Sequence, residues 1–227
     1  MNYKNIEKVK NEVEKLLKTD DSGHGFDHID RVLKLSLKFA KKENANREIV
    51  SLIALLHDVD DYKLFGIENE ANLTNAKRIM KDCNISENIK EQVCLELKNI
   101  GYSKRLKGCF PNTIEGKIVS DADMCDALGA NGILRIHIYN LKNGKPFFDR
   151  NIMPNLNISA DEYVKKCSDS CVSHMFEKIL KLKNLMLTDS GKEEAKKRHD
   201  LVVHFLRQLF DEEDAIEWKE LLEKVIK

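Results

Sequence analysis

The sequence predicts an all-α protein folded as one helical bundle over residues 1–227. Three observations point there. Only three prolines occur in 227 residues, at 111, 146 and 154. The long stretches between them place apolar side chains at helical spacing, and no segment sustains the two-residue alternation of a half-buried strand. The 38 basic and 38 acidic side chains cancel, which excludes the basic excess of a general nucleic-acid binder, and 42% hydrophobic content excludes a disordered chain.

The elements follow in order. Over residues 2–18, Ile6, Val9, Val13, Leu16 and Leu17 form one stripe with lysines and glutamates opposite, and the turn-forming run 20–25 ends it. A second helix over 26–43 carries Ile29, Val32, Leu33, Ser36, Phe39 and Ala40 on one face. Asn46 is placed to cap a third helix whose middle, residues 49–56, is apolar nearly all round and therefore belongs inside the bundle. Helices over 69–83 and 86–100 follow, then a loop with Gly101, Gly108 and Pro111. Another helix starts near Thr113 and carries an acidic cluster. Residues 141–158 read as irregular. The two helices after them open on the capping-box patterns Ser159-x-x-Glu162 and Ser190-x-x-Glu193.

No apolar run approaches the ~18 residues of a membrane span, and the N-terminus lacks the apolar core of a signal peptide. Six cysteines show no Cys-x-x-Cys pair, and Cys167 and Cys171, one helical turn apart, read as a packed face. The expectation is a cytoplasmic protein with reduced thiols.

Two His-Asp dipeptides occur. His199-Asp200 lies in the charged run after Lys196 and reads as a solvated helix face. His57-Asp58 differs because eight residues of a nearly all-apolar helix deliver it toward the interior, where an ionised carboxylate needs a partner or a cation. The competing reading is a helix C-terminus, with His57 meeting the helix dipole and Asp58 capping the next turn. A second acidic segment, Asp121-Ala122-Asp123-Met124-Cys125-Asp126, follows Ile118 and Val119; on a helix Asp123 and Asp126 share a face while Asp121 points elsewhere. The competing reading there is an acidic surface turn.

His28, His57-Asp58 and Asp123, in that order on a helical chain, resemble the H…HD…D signature of the HD-domain phosphohydrolase superfamily. Ser-Gly-His-Gly-Phe-Asp-His-Ile-Asp-Arg-Val (22–32), Ala-Leu-Leu-His-Asp-Val-Asp-Asp-Tyr-Lys (54–63), Glu-Gly-Lys-Ile-Val-Ser-Asp-Ala-Asp (115–123), Asp-Ala-Leu-Gly-Ala-Asn-Gly-Ile (126–133) and the segment 173–186 resemble its stand-alone bacterial branch, over most of residues 20–210.

The resemblance implies a bundle of the HD-domain type in which His28, His57, Asp58 and Asp123 hold a divalent metal ion. Two imidazoles and two carboxylates suit Mn, Fe, Co, Ni, Zn or Mg. Asp123 is preferred to Asp121 because Ala-Asp is followed by the family's helical continuation; Asp121 then orients a histidine from outside the ligand set. No histidine lies between His57 and Asp123, where two-metal members hold a second ion, so one metal is expected.

The implied reaction is hydrolysis of a phosphoester by water made acidic at the metal. Asp61 is the candidate general acid/base and Lys63 the candidate catalytic cation, while Arg31 neutralises phosphoryl oxygens. The rival reading of Asp61 is a solvated acid. His24 and Lys178 are further substrate-contact candidates, against a turn histidine and a solvated lysine. Phe147 and Phe148 offer either a stacking lid or an anchor for their loop. His137, His174 and His204 read as packed helix residues.

Two departures from the branch stand out: Met124-Cys125 replaces a basic residue and a leucine, and residues 99–103 replace a histidine-rich segment. The expected partner is a small phosphorylated substrate, foremost a nucleotide, with no membrane and no stable nucleic-acid partner. The alternative function is a sensor module that binds a nucleotide without turning it over.

Overall fold

In the computed structural model, residues 3–18, 25–157 and 168–226 are described. Among them every regular element is helical, as the periodicity predicts. Contacts divide the chain into two compact units, Met1–Asp123 and Met124–Lys227.

The first unit is built around α3 (Arg47–Leu56), which packs against α1 (Tyr3–Leu16), α2 (Phe26–Lys42) and α7 (Glu87–Leu97). Asn46 caps α3 as predicted, its side chain accepting from the backbone N–H groups of Glu48 and Ile49. Every residue from Val50 to Leu56 is buried, so α3 has no solvated stripe over that stretch. Each such leucine or isoleucine contributes about 1.5–3 kcal/mol by leaving water. The α1 stripe is equally plain: Ile6, Val9, Val13 and Leu17 are buried.

The predicted helix over 69–83 is two helices. α4 (Tyr62–Phe65) and α5 (Ile67–Asn72) precede a break at Leu73, and α6 (Thr74–Asp82) follows. Leu73 has φ 51°, a left-handed conformation that costs a leucine about 1–2 kcal/mol. Its side chain is buried, which offsets that strain. The start of α6 is fixed from elsewhere: Asp60 Oδ1 accepts from Asn75 N at 2.8 Å and Oδ2 from Ala76 N at 2.9 Å. α7 ends at Leu97 rather than 100, and the predicted loop contains a short helix, α8 (Tyr102–Leu106). α9 (Ile114–Asp126) then carries the acidic cluster.

The second unit holds α10 (Gly129–Lys142), α11 (Cys171–Glu177), a 3₁₀ segment (Ile179–Leu185), α12 (Asp189–Glu212) and α13 (Ile216–Val225). α12 packs against α10, α13 and the 3₁₀ segment. Phe148 meets Phe210 and Trp218, and Phe147 meets His137 and Phe205, so both loop phenylalanines anchor their segment. The predicted capping box at Ser190 is displaced: α12 starts two residues earlier, with Thr188 as its cap accepting from Gly191 N. The Ser159 box lies outside the described residues, as does Cys167; no disulfide joins the described cysteines. No described helix is long and apolar enough to cross a membrane.

Candidate metal centre

Three helices of the first unit deliver the site. His28 sits in the first turn of α2, after Gly25, whose extended backbone starts the helix without a side-chain cap. It is fully buried. His57 occupies the C-cap of α3 in right-handed helical conformation, so Asp58 begins the turn that leaves the helix. Asp123 lies in the last turn of α9.

The His57 ring is oriented by the chain itself. Its Nδ1 lies 2.8 Å from Ala54 O, and an imidazole nitrogen facing a carbonyl must carry the proton. The neutral ring therefore presents the lone pair of Nε2, which faces His28 Nε2 at 3.2 Å with the two rings edge to face. His28 Nε2 lies 3.4 Å from Asp58 Oδ2 and 3.5 Å from Asp123 Oδ1. His57 Nε2 lies 3.6 Å and 3.9 Å from the same two oxygens.

Ligand bonds of about 2.0–2.2 Å at angles between octahedral and tetrahedral place neighbouring donors about 2.8–3.6 Å apart. The His28, His57 and Asp58 atoms satisfy this, and as a group they are spaced to hold one ion. Asp123 Oδ1 stands slightly wide on the His57 side. Both imidazoles are 1% exposed at the side chain while the carboxylates are 14% and 25% exposed, so the cluster opens to solvent on its acidic side. The donor set thus fits a first-row divalent cation.

The other predicted residues are distributed as follows. Asp121 is fully buried, unlike Asp123; desolvation pulls the guanidinium of the buried Arg105 down, and the Asp121 charge opposes it by favouring the protonated form. Asp61 caps α4, accepting from Lys63 N at 2.8 Å. Lys63 is exposed, its ammonium 5.8 Å from the centre of the Tyr62 ring. Arg31 pairs with Asp27 one turn earlier on α2, at 2.6 Å. Lys178 ends α11 in the second unit. His24 lies outside the described residues.

His199 corrects the expectation of a solvated face. It is 2% exposed, and burial first, then the Lys183 charge, hold its imidazole below the ordinary histidine value. The charged neighbours Lys196, Lys197 and Arg198 concealed a residue one helical step away that turns inward. His137 and His204 are exposed, although the His137 ring still meets Phe147.

Sequence reasoning also passed over three buried acids or bases. Asp60 was read with Asp61 as one acidic pair, yet it is 4% exposed, and burial pushes its carboxyl up against the backbone hydrogen bonds of Ala76 and Asn75. Glu96 and Arg105 are buried as well. The leucines flanking Glu96 did not mark it, since Leu95 is itself exposed.

The HD domain family matches residues 25–128, the stretch that holds all four converging side chains. YpgQ of Bacillus subtilis (strain 168) is 30% identical over 207 residues, covering 91% of this chain and 92% of its own. The crystal structure of that protein in complex with ADP aligns with a TM-score of 0.70 at 28% identity, over 92% of this chain and 95% of the other. An HD-superfamily hydrolase from Bacillus thuringiensis gives a TM-score of 0.73 at 32% identity, over 95% and 100% of the two chains. A Lactobacillus plantarum protein gives 0.81 at 29%, over 95% and 99%. With similarity running almost end to end and the family match centred on the histidine–aspartate cluster, this chain belongs to the HD-domain superfamily.

Proposed function

We propose that the protein is a metal-dependent phosphohydrolase that cleaves a phosphoester of a nucleotide or another small phosphorylated metabolite. The observation that carries this reading is the convergence of His28 and His57 Nε2 with Asp58 Oδ2 and Asp123 Oδ1 in one partly solvated cluster. The complex of the relative YpgQ with ADP supports a nucleotide as the substrate class. The balanced net charge supports a small substrate over a nucleic acid.

His28, His57, Asp58 and Asp123 would hold the ion. A divalent cation bound there supplies a Lewis acid for a phosphoryl oxygen and acidifies water near neutral pH. The chain's own contribution is orientation and charge. The Ala54 carbonyl fixes the His57 tautomer, so its Nε2 faces the cluster without a proton. Asp61, three residues after Asp58, is the general acid/base, accepting or returning a proton at its carboxylate, which also caps α4. Lys63, exposed on the following turn, neutralises phosphoryl oxygen. Arg31 and His24 serve as substrate contacts.

The test is a phosphate-release screen over nucleotides, sugar phosphates and aryl phosphates with Mn, Co, Ni and Mg, run beside Asp58→Ala. Release that depends on added metal and disappears in the variant is expected. Nucleotide binding without release under any metal would refute hydrolysis.

A further inference from the structure

The start of α9 carries Glu115-Gly116, and a buried acid from another helix faces it. Glu96, on α7, is 1% exposed. Its Oε2 accepts from Asn112 N at 3.0 Å and its Oε1 from Thr113 N at 3.2 Å, the two backbone N–H groups just before α9. A carboxylate there satisfies orphan donors and sits at the favourable end of the helix dipole.

Gly116 is the residue that makes room for it. A Cβ at this position would lie 2.1 Å from Glu96 Oε2 and 2.9 Å from Pro111 Cβ. Glycine inside a helix otherwise costs about 0.5–1 kcal/mol relative to alanine, so its presence in α9 needs such a reason. Glu115, beside it, accepts from Asn46 N at 2.9 Å, joining the start of α9 to the cap of α3, the helix that ends in His57 and Asp58.

We propose that Glu96 is a positioning residue for the metal centre: through its clamp on the start of α9, with Gly116 as the glycine that clamp requires, it sets the rotation that aims Asp123 at His28 and His57. This rests on the reading of the cluster as a metal site. Asp123 is seven residues after Gly116, two turns on and on the same face of the helix. A rotation of about 15° relieving a clash at Gly116 would move a carboxylate tip about 6 Å off the axis by about 1.5 Å. Asp123 Oδ1 now stands 3.5 Å from His28 Nε2, and a displacement of that size removes it from any shared ion.

The test is Mn²⁺ titration of the full chain by calorimetry, with Glu96→Gln and Gly116→Ala made singly and in combination with Asp123→Asn. Each single variant weakens Mn²⁺ binding by about tenfold, the lower end of what a misdirected ligand costs. In the Asp123→Asn background the same changes cost less than about twofold, because the ligand they misdirect is already gone. A merely structural role would lower affinity equally in both backgrounds, and that outcome overturns the proposal. So do single variants that bind within twofold of the parent. Should Glu96→Gln fail to fold, Gly116→Ala carries the same cycle. A parent protein that binds no Mn²⁺ would instead overturn the metal reading itself, and the proposal with it.

Discussion

Adding a divalent ion to metal-stripped protein raises its melting temperature, and His57→Ala abolishes most of that rise. In the native chain four lone-pair donors are gathered within 3.2–3.9 Å of the two imidazole nitrogens, an arrangement the unfolded chain does not possess. An ion that binds only the native state stabilises it by RT ln(1 + [L]/Kd), about 2.7 kcal/mol at one hundred times the dissociation constant. For a chain of this size each kcal/mol raises the midpoint by about 2–4 °C, so saturating Mn²⁺ raises it by about 5–11 °C. The assay is a thermal melt followed by circular dichroism, across a series of Mn, Co, Ni, Zn and Mg concentrations. His57→Ala removes the buried Nε2 that faces both His28 and the carboxylates and shrinks the shift to a degree or two. No shift with any of the five ions, or an equal shift in the variant, would refute the reasoning.

Three further outcomes are expected. Asp61→Asn retains an equally good helix cap, so it leaves the urea midpoint unchanged while lowering phosphate release about a hundredfold; an undiminished rate would remove Asp61 from the chemistry. Asp60→Ala strips the acceptors of Asn75 N and Ala76 N and costs about 1–3 kcal/mol, measured by urea unfolding, with a cost below about 0.5 kcal/mol sinking the capping account. His199 is held below the ordinary imidazole value of about 6.5, so the unfolded chain takes up its proton before the folded one does. Its contribution is therefore complete above about pH 6.5 and is lost as the pH falls through the lower folded value. Urea midpoints at pH 7.5 and 5.0 should fall further for the parent than for His199→Leu, and identical pH dependence in the two would contradict this.

The histidine–aspartate part of the candidate site was legible because an apolar helix leads straight to it. A helix with no solvated stripe from Val50 to Leu56 marks the interior, and the His57-Asp58 pair at its end must then meet something charged. Asp123 was preferred to Asp121 on the resemblance alone, and the two acids lie in different surroundings: Asp123 faces the histidines, while Asp121 is fully buried in the field of Arg105. The fold was legible to the level of helices but not of their joints. Leu73 breaks one predicted helix because Asp60, fifteen residues upstream of Asn75, dictates where α6 starts. That is a tertiary instruction, and no local propensity encodes it. Glu96 was silent for the same reason, since an acid between two leucines acquires meaning only once the start of α9 lies against it.

Asp58, Asp60 and Asp61 crowd three acids into four positions, and each is committed to a different destination: the histidine cluster, the start of α6 and the start of α4. The spacing of this turn is consequently not negotiable. Inserting or deleting a single residue between 58 and 61 would misdirect several carboxylates at once, so a change of length in this bend costs more than the loss of any one of its side chains.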